Sequence, residues 1–169
     1  AASADQAFMR IALLLGRRGL GYTEPNPMVG AVVVKDGRIL ACGYHRAFGG
    51  PHAEVMALER LTVPGTTLYL NLEPCSHFGK TPPCVDLIIA RRVRRVVAAM
   101  LDPNPLVNGG GIARLQAHGI ETGVGLCREQ AEVIACDDGT FANYDLHMWR
   151  QVSEAKRTVE AHKYDWVSP

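Results

Sequence analysis

Three side chains of metal-ligand type, spread over thirty-odd residues, constrain this chain more than anything else in it. Pro51-His52-Ala53-Glu54-Val55-Met56-Ala57-Leu58 puts an imidazole and a carboxylate two residues apart at the start of a short helical pattern. Glu73-Pro74-Cys75 follows, and Cys84 comes after a further eight residues. One histidine and two cysteines are three ligands of the kinds zinc takes, and three leave the fourth tetrahedral position open for water. A fold that uses this set must bring residues 52, 75 and 84 to one point, with Glu54 beside them as an acid that has no ligand duty.

The patterning around the set predicts such a fold. Phe8, Ile11, Ala12, Leu14 and Leu15 recur at helical spacing, so residues 5–19 read as an amphipathic helix capped by Ser3 or Asp5. Met28 to Lys35 is β-branched and apolar, a buried strand. Asp36-Gly37 is a strong hairpin signal, and residues 39–45 return as the antiparallel partner. A helix over 52–61, a strand over 66–72, a loop over 73–83 and a helix over 84–92 follow. Residues 93–100 read as a strand, 112–118 as a helix, 120–124 as a strand and 128–135 as a helix. Strands joined by helices pair in parallel, so the expectation is an α/β protein: a three-layer α/β/α sandwich on a mixed sheet of about five strands, with an N-terminal β-hairpin. Residues 1–136 form one domain in this reading. Residues 137–169 are a C-terminal extension, with a polar helix over 146–162 that the sequence does not place on the sheet.

Charge and cysteine usage narrow the function classes. Formal net charge is +1, which gives no electrostatic reason to expect nucleic acid or a membrane surface as partner. The run Arg91-Arg92-Val93-Arg94-Arg95 reads as a solvated helix end. Five cysteines, an odd count, with no signal peptide and no apolar run of membrane-spanning length, point to a reducing cytoplasmic setting with thiols free or on metal.

A histidine near a helix start is usually structural, and a lone cysteine is usually a small buried hydrophobe. The combination is more specific, because His52 and Cys84 each open a helix while Cys75 follows a strand. Those ends can converge at one edge of an open sheet, and helix N-termini favour thiolates. The order His-x-Glu, then Pro-Cys, is the signature of zinc deaminases. In that chemistry a carboxylate that does not bind metal takes a proton from water and delivers it to the ring nitrogen and then to the departing amine.

The generic signature has two residues between its cysteines and this chain has eight, Ser76-His77-Phe78-Gly79-Lys80-Thr81-Pro82-Pro83. With that block the chain resembles the deaminase domain of the bifunctional riboflavin-biosynthesis pyrimidine deaminase/reductase, of the cytidine-deaminase-like superfamily. Asn26-Pro27-Met28-Val29-Gly30-Ala31-Val32, Gly43-Tyr44-His45, His52-Ala53-Glu54-Val55 and Asp102-Pro103-Asn104-Pro105 are similar to other blocks of that family, in the same order. The resemblance implies zinc on His52, Cys75 and Cys84, Glu54 as the catalytic proton shuttle, and Asn26, His45, His77, Lys80, Asp102 and Asn104 against the substrate. The implied substrate is a phosphorylated pyrimidine, 2,5-diamino-6-ribosylamino-4(3H)-pyrimidinone 5′-phosphate, which would lose its 2-amino group as ammonia.

The residues themselves leave several roles open. His77 and Lys80 suit a sugar phosphate or belong to a solvated, loop-packed segment. Asn26, Asp102 and Asn104 fit either ligand contact or turn chemistry. Gly109-Gly110-Gly111 before a helix fits an anion nest or a flexible turn. The named family continues into a nicotinamide-dependent reductase domain. Residues 137–169 are too short for one and carry no dinucleotide fingerprint. Alternatives are a deaminase of another nucleobase, nucleoside or tRNA base, and an inactive zinc-stabilised binding module. Short elements around such a site lead us to expect a homo-oligomer.

Overall fold

The computed structural model describes residues 3–79, 81–104 and 107–137. Their element order is α1 (Ala4–Arg17), β1 (Gly30–Lys35), β2 (Arg38–Tyr44), α2 (Ala53–Leu58), β3 (Thr67–Leu70), α3 (Cys84–Ala90), β4 (Arg95–Ala98), α4 (Gly110–Ala117), β5 (Glu121–Val124) and α5 (Arg128–Asp137). This is the order the sequence predicts through residue 137. The helix expected over 146–162, and the whole of the extension past 137, lie outside the described residues.

Several ends are shorter than the patterning suggests. Helix α2 stops at Leu58 because the Leu61 N–H turns back to the Leu58 carbonyl instead of continuing the helix. At α1 the choice between two caps resolves to Ser3, whose hydroxyl accepts from the Gln6 N–H while the Gln6 side chain accepts from the Ser3 N–H. The basic run is not one helix end. Arg91 caps α3, Arg92 takes a positive φ of 52°, and Arg95 already stands in β4, where it pairs with Asp5 and Glu121.

The sheet runs β2-β1-β3-β4-β5. Strand β1 is antiparallel to both β2 and β3, while β3, β4 and β5 are parallel, as the helical crossovers α3 and α4 require. The hairpin turn has φ of 50° at Asp36 and 73° at Gly37, the positive pair of a type I′ turn. Alternate side chains of each inner strand then face opposite layers. Val32, Val34, Tyr69 and Val97 meet Met9, Ala12 and Leu13 of α1 and Ala131 and Ile134 of α5. Ala31, Val33, Leu68, Leu70 and Val96 meet Ala53, Ala57 and Leu58 of α2, Val85 and Ile88 of α3, and Leu115 of α4. The result is a three-layer α/β/α sandwich with a core on each face of the sheet. No helix among the described residues is long and apolar enough to cross a membrane.

The topology gathers particular ends of the chain. Strands β3 and β4 finish at one edge of the sheet. Strand β2 finishes there too, and β1 begins there, since Gly30 pairs with Tyr44. Chain segments around 26–29, 45, 71–75 and 99–102 therefore meet at this edge, where ligand sites of open α/β sheets form.

Candidate metal centre and active site

His52 is the N-cap residue of α2, with extended backbone, and Glu54 lies in the helix's first turn. Cys75 comes after β3 on the far side of Pro74. Cys84 is the first residue of α3, behind Pro83, which suits a helix start because its ring presets φ. The Cys84 N–H donates to the Cys75 sulfur at 3.2 Å, and the Val85 N–H donates to the Cys75 carbonyl at 3.2 Å. The start of α3 thus holds Cys75 by both its backbone and its sulfur.

His52 Nδ1 lies 3.3 Å from Cys84 Sγ and 3.7 Å from Cys75 Sγ. Tetrahedral zinc with ligands at about 2.0–2.3 Å puts neighbouring donor atoms roughly 3.5 Å apart, so this spacing fits the ion. The three donor atoms all lie within 4.8 Å of one another, and they form the one group among the described residues spaced to hold a metal. Their electrostatics agree. The Cys84 side chain, with His52 and the Cys84 N–H, holds the Cys75 thiol down to about 4 against the opposing effect of burial. Cys84 goes the other way, pushed up by its hydrogen bond to Cys75 and by burial. One negative sulfur makes the second hard to ionise, and a dication between them removes that conflict.

Glu54 is buried, at 4% exposure, beside this group. Burial first, then the negative Cys75 sulfur, push its carboxyl up to about 7. A dication at the sulfurs would cancel the second contribution and leave the first.

The site opens into a cavity of about 390 Å³ whose wall includes Asn26, His45, His52, Glu54, Cys75, His77 and Asp102. These are seven of the ten residues singled out from the sequence. Cys84 is buried behind the wall at 2% exposure, and Lys80 lies outside the described residues. Asn104 is not in the wall. Its N–H donates to Asp102 Oδ1 at 2.8 Å, and its carbonyl accepts from Val107 and Asn108, which is the turn role. Asp102 both makes that turn and faces the cavity, and burial raises its carboxyl above the usual range.

His45 is in the wall, but both its ring nitrogens are engaged within the protein. The Pro51 carbonyl can only accept, so Nδ1 carries the hydrogen and donates to it at 3.0 Å. Nε2 then accepts from the Asn26 amide at 3.2 Å. Burial pushes the imidazole down, in keeping with a neutral ring. His45 thereby joins the segment before His52 to the Asn26 turn, and its ring meets the His52 ring edge-on at 5.7 Å.

The Gly109-Gly110-Gly111 turn is an anion nest whose anion belongs to the chain. Glu73 Oε2 accepts from the Gly109 N–H at 3.0 Å, and Oε1 accepts from Gly111 at 2.9 Å and Ile112 at 3.2 Å. The flexible-turn and phosphate-nest readings of these glycines both give way to this contact, because the N–H groups a phosphate would need are already used. Sequence reasoning missed Glu73. Its one signal was an acid held at the end of an apolar strand, immediately before Pro74-Cys75.

Comparison with known proteins agrees with this geometry. The family model for the cytidine and deoxycytidylate deaminase zinc-binding region matches residues 2–100. The riboflavin biosynthesis protein RibD of Aquifex aeolicus is 46% identical over an alignment 170 positions long that covers 97% of this chain and 48% of that protein. RibD of Escherichia coli is 53% identical over 130 residues, 76% of this chain and 35% of that protein. The crystal structure of a Thermotoga maritima diaminohydroxyphosphoribosylaminopyrimidine deaminase/5-amino-6-(5-phosphoribosylamino)uracil reductase superposes with a TM-score of 0.77 at 48% identity, covering 82% of this chain and 41% of that one. The chain thus spans about half or less of the length of these relatives. The sandwich is of the cytidine-deaminase-like α/β type, and the cofactor is zinc, for which the described residues offer one fitting donor set. A match that takes in more than half of the chain, His52, Cys75 and Cys84 included, establishes that the chain belongs to the cytidine and deoxycytidylate deaminase zinc-binding family.

Proposed function

We propose that this chain hydrolytically deaminates 2,5-diamino-6-ribosylamino-4(3H)-pyrimidinone 5′-phosphate, a step of riboflavin biosynthesis. The observation that carries the reading is a buried acid, Glu54, that shares the wall of one cavity of about 390 Å³ with His52 and Cys75, with Cys84 completing the donor set behind them. That volume lies in the usual range for a small-molecule site. The substrate choice is supported by the similarity to the RibD proteins and to the Thermotoga enzyme.

In this reading His52, Cys75 and Cys84 hold zinc. When bound, zinc supplies a Lewis acid that draws the pKa of a water ligand toward neutrality. Glu54 accepts a proton from the attacking water and passes it to the ring nitrogen beside the amine-bearing carbon. It carries the second water proton to the amine as the C–N bond breaks. A C–O bond replaces the C–N bond, and ammonia leaves neutral. Burial serves this role, because water that could compete for the carboxylate's protons is excluded. Asn26 and Asp102 bring hydrogen-bonding groups to the cavity wall, and His77, also in the wall, would face the phosphorylated sugar; Lys80 would share that role by the family resemblance. Residues 1–136 form the deaminase domain in this proposal. The Aquifex similarity covers 97% of the chain, which supports treating 137–169 as a continuation shared with that longer protein.

Ammonia release from the diaminopyrimidine phosphate tests the proposal, against cytidine, guanine and other bases as comparators. The expected result is turnover of the pathway compound alone. Glu54→Gln should lower kcat by about a hundred- to ten-thousandfold, the usual worth of general acid–base catalysis, with zinc still bound. Wild-type turnover in Glu54→Gln would sink the mechanism. Activity confined to another base would sink the substrate.

A further inference from the structure

We infer that Glu73 is a positioning residue that sets Asp102 in the cavity wall beside the metal centre. The inference rests on the deaminase reading above and deepens it. Glu73 directly precedes Pro74-Cys75, is 5% exposed, and lines the cavity. Its carboxylate accepts four backbone N–H bonds, two on each oxygen. Oε2 takes Asp102 and Gly109, both at 3.0 Å, and Oε1 takes Gly111 and Ile112 at 2.9 and 3.2 Å. The Glu73 N–H in turn donates to the Met100 carbonyl at 2.9 Å.

These bonds span three pieces of chain that no regular ladder joins: the segment leading to Cys75, the Asp102 turn after β4, and the start of α4. Asp102 is fixed at both ends of its residue. Its N–H is held by Glu73, and its carbonyl accepts from Asn108 Nδ2 at 3.0 Å. Close approach is built in as well, since a Cβ at Gly111 would stand 2.2 Å from the Pro74 carbonyl oxygen and 3.2 Å from Glu73 Oε1. The metal loop and α4 are therefore in direct backbone contact, with the carboxylate filling the space between them. Cys75 has its own anchors at the start of α3. What Glu73 adds is the tie that holds the Asp102 N–H and the start of α4 to the segment leading to Cys75.

Glu73→Gln preserves shape but turns an amide NH2 toward one of the two N–H pairs, and a donor cannot accept them. Glu73→Asp keeps two acceptor oxygens but withdraws them by one methylene. The test compares zinc-loaded wild type with both variants, reading zinc content, the absorption spectrum of the cobalt(II)-substituted protein, kcat and KM for the diaminopyrimidine phosphate, and amide hydrogen exchange. We expect the Glu73→Gln variant to keep one zinc and an unchanged cobalt spectrum, with KM raised about tenfold or more and kcat changed less than threefold. Glu73→Asp should recover part of the KM. Exchange should accelerate at Asp102, Gly109, Gly111 and Ile112 and stay slow at Cys84 and Val85. Unchanged KM with unchanged exchange overturns the inference, as does joint loss of zinc and cooperative unfolding in both variants, which would make Glu73 a stability residue only. Exchange needs no substrate. If wild type releases no ammonia from this compound the substrate reading fails, while exchange confined to 102–112 still decides the role of Glu73.

Discussion

A single carboxylate, Asp5, ties helix α1 to the sheet across ninety residues of sequence. Its two oxygens accept from Arg95 Nη1 and Nη2 at 3.2 and 2.8 Å, and the Tyr69 hydroxyl donates to Oδ1 as well. The hydrogen bond from Arg95, followed by that from Tyr69, holds the Asp5 carboxyl below its ordinary value. A depressed carboxyl stabilises the fold fully above its unfolded pKa, about 3.9 for Asp, and that contribution is lost as pH falls through the lower folded value. Asp5→Asn should therefore lower the urea midpoint at pH 7 by an amount worth up to about 1 kcal/mol, modest because the pair is partly solvated. The gap between the two proteins should shrink as pH falls below the unfolded value of about 3.9 and close once it is below the depressed folded value. A gap independent of pH would show that ionisation of Asp5 is not what matters. At this scale the sequence exposes residues whose chemistry is unusual for their spacing, which is why His52, Glu54, Cys75 and Cys84 could be read from it. It hides those whose partners are backbone groups, because any residue supplies an N–H; the four donors to Glu73 carry no side-chain signature.

At the scale of elements, the site depends on how closely α2 lies against the hairpin. A Cβ at Gly43 would stand 2.5 Å from the Ala53 carbonyl, 2.6 Å from Met56 Cβ and 2.8 Å from the Ala57 N–H nitrogen. Helix α2 rests on the backbone of β2 at that point, and His52 and Glu54 are carried at its first turn. Gly43→Ala must push the helix outward, which for an overfilled core costs about 1–3 kcal/mol. The same displacement moves the imidazole relative to the two sulfurs, so zinc affinity should fall at least tenfold in a competition titration with a chromophoric chelator. Loss of stability with unchanged zinc affinity would mean that α2 adjusts without moving His52. The order and type of the elements were legible, because periodicity, Asp36-Gly37 and the proline breaks are local signals. The trimmed ends and the β1–β3 antiparallel pairing were not, since ladder ends depend on what lies alongside, as when the Arg94 and Arg95 N–H groups both turn to the Thr66 carbonyl. Likewise Gly43 reads in sequence as one residue of a strand, and its requirement comes from a helix ten residues further on.

For the whole molecule, the question is whether zinc holds the fold or only the site. The two apolar clusters lie on the two faces of the sheet and draw on α1 and α5 on one side and α2, α3 and α4 on the other. Of the donor set, only Cys84 counts among the buried apolar side chains, and the trio sits at the edge of the sheet rather than between its layers. A core of this kind does not need the metal to exclude water, in contrast to small zinc modules that are unfolded without it. Zinc still binds only the folded arrangement, because it requires residues 52, 75 and 84 at one point. It must then stabilise by mass action, by about 4 kcal/mol when free zinc is a thousandfold above its Kd. For a chain of this length that corresponds to roughly 10 °C in Tm. Stripping the metal with a chelator should therefore lower Tm by about that much while leaving the far-UV circular dichroism at 25 °C unchanged. Readdition should raise Tm with the logarithm of free zinc. Collapse of the ellipticity at 25 °C on chelation would place zinc among the groups that hold the sandwich together, and a Tm insensitive to zinc would remove the trio as its binding site.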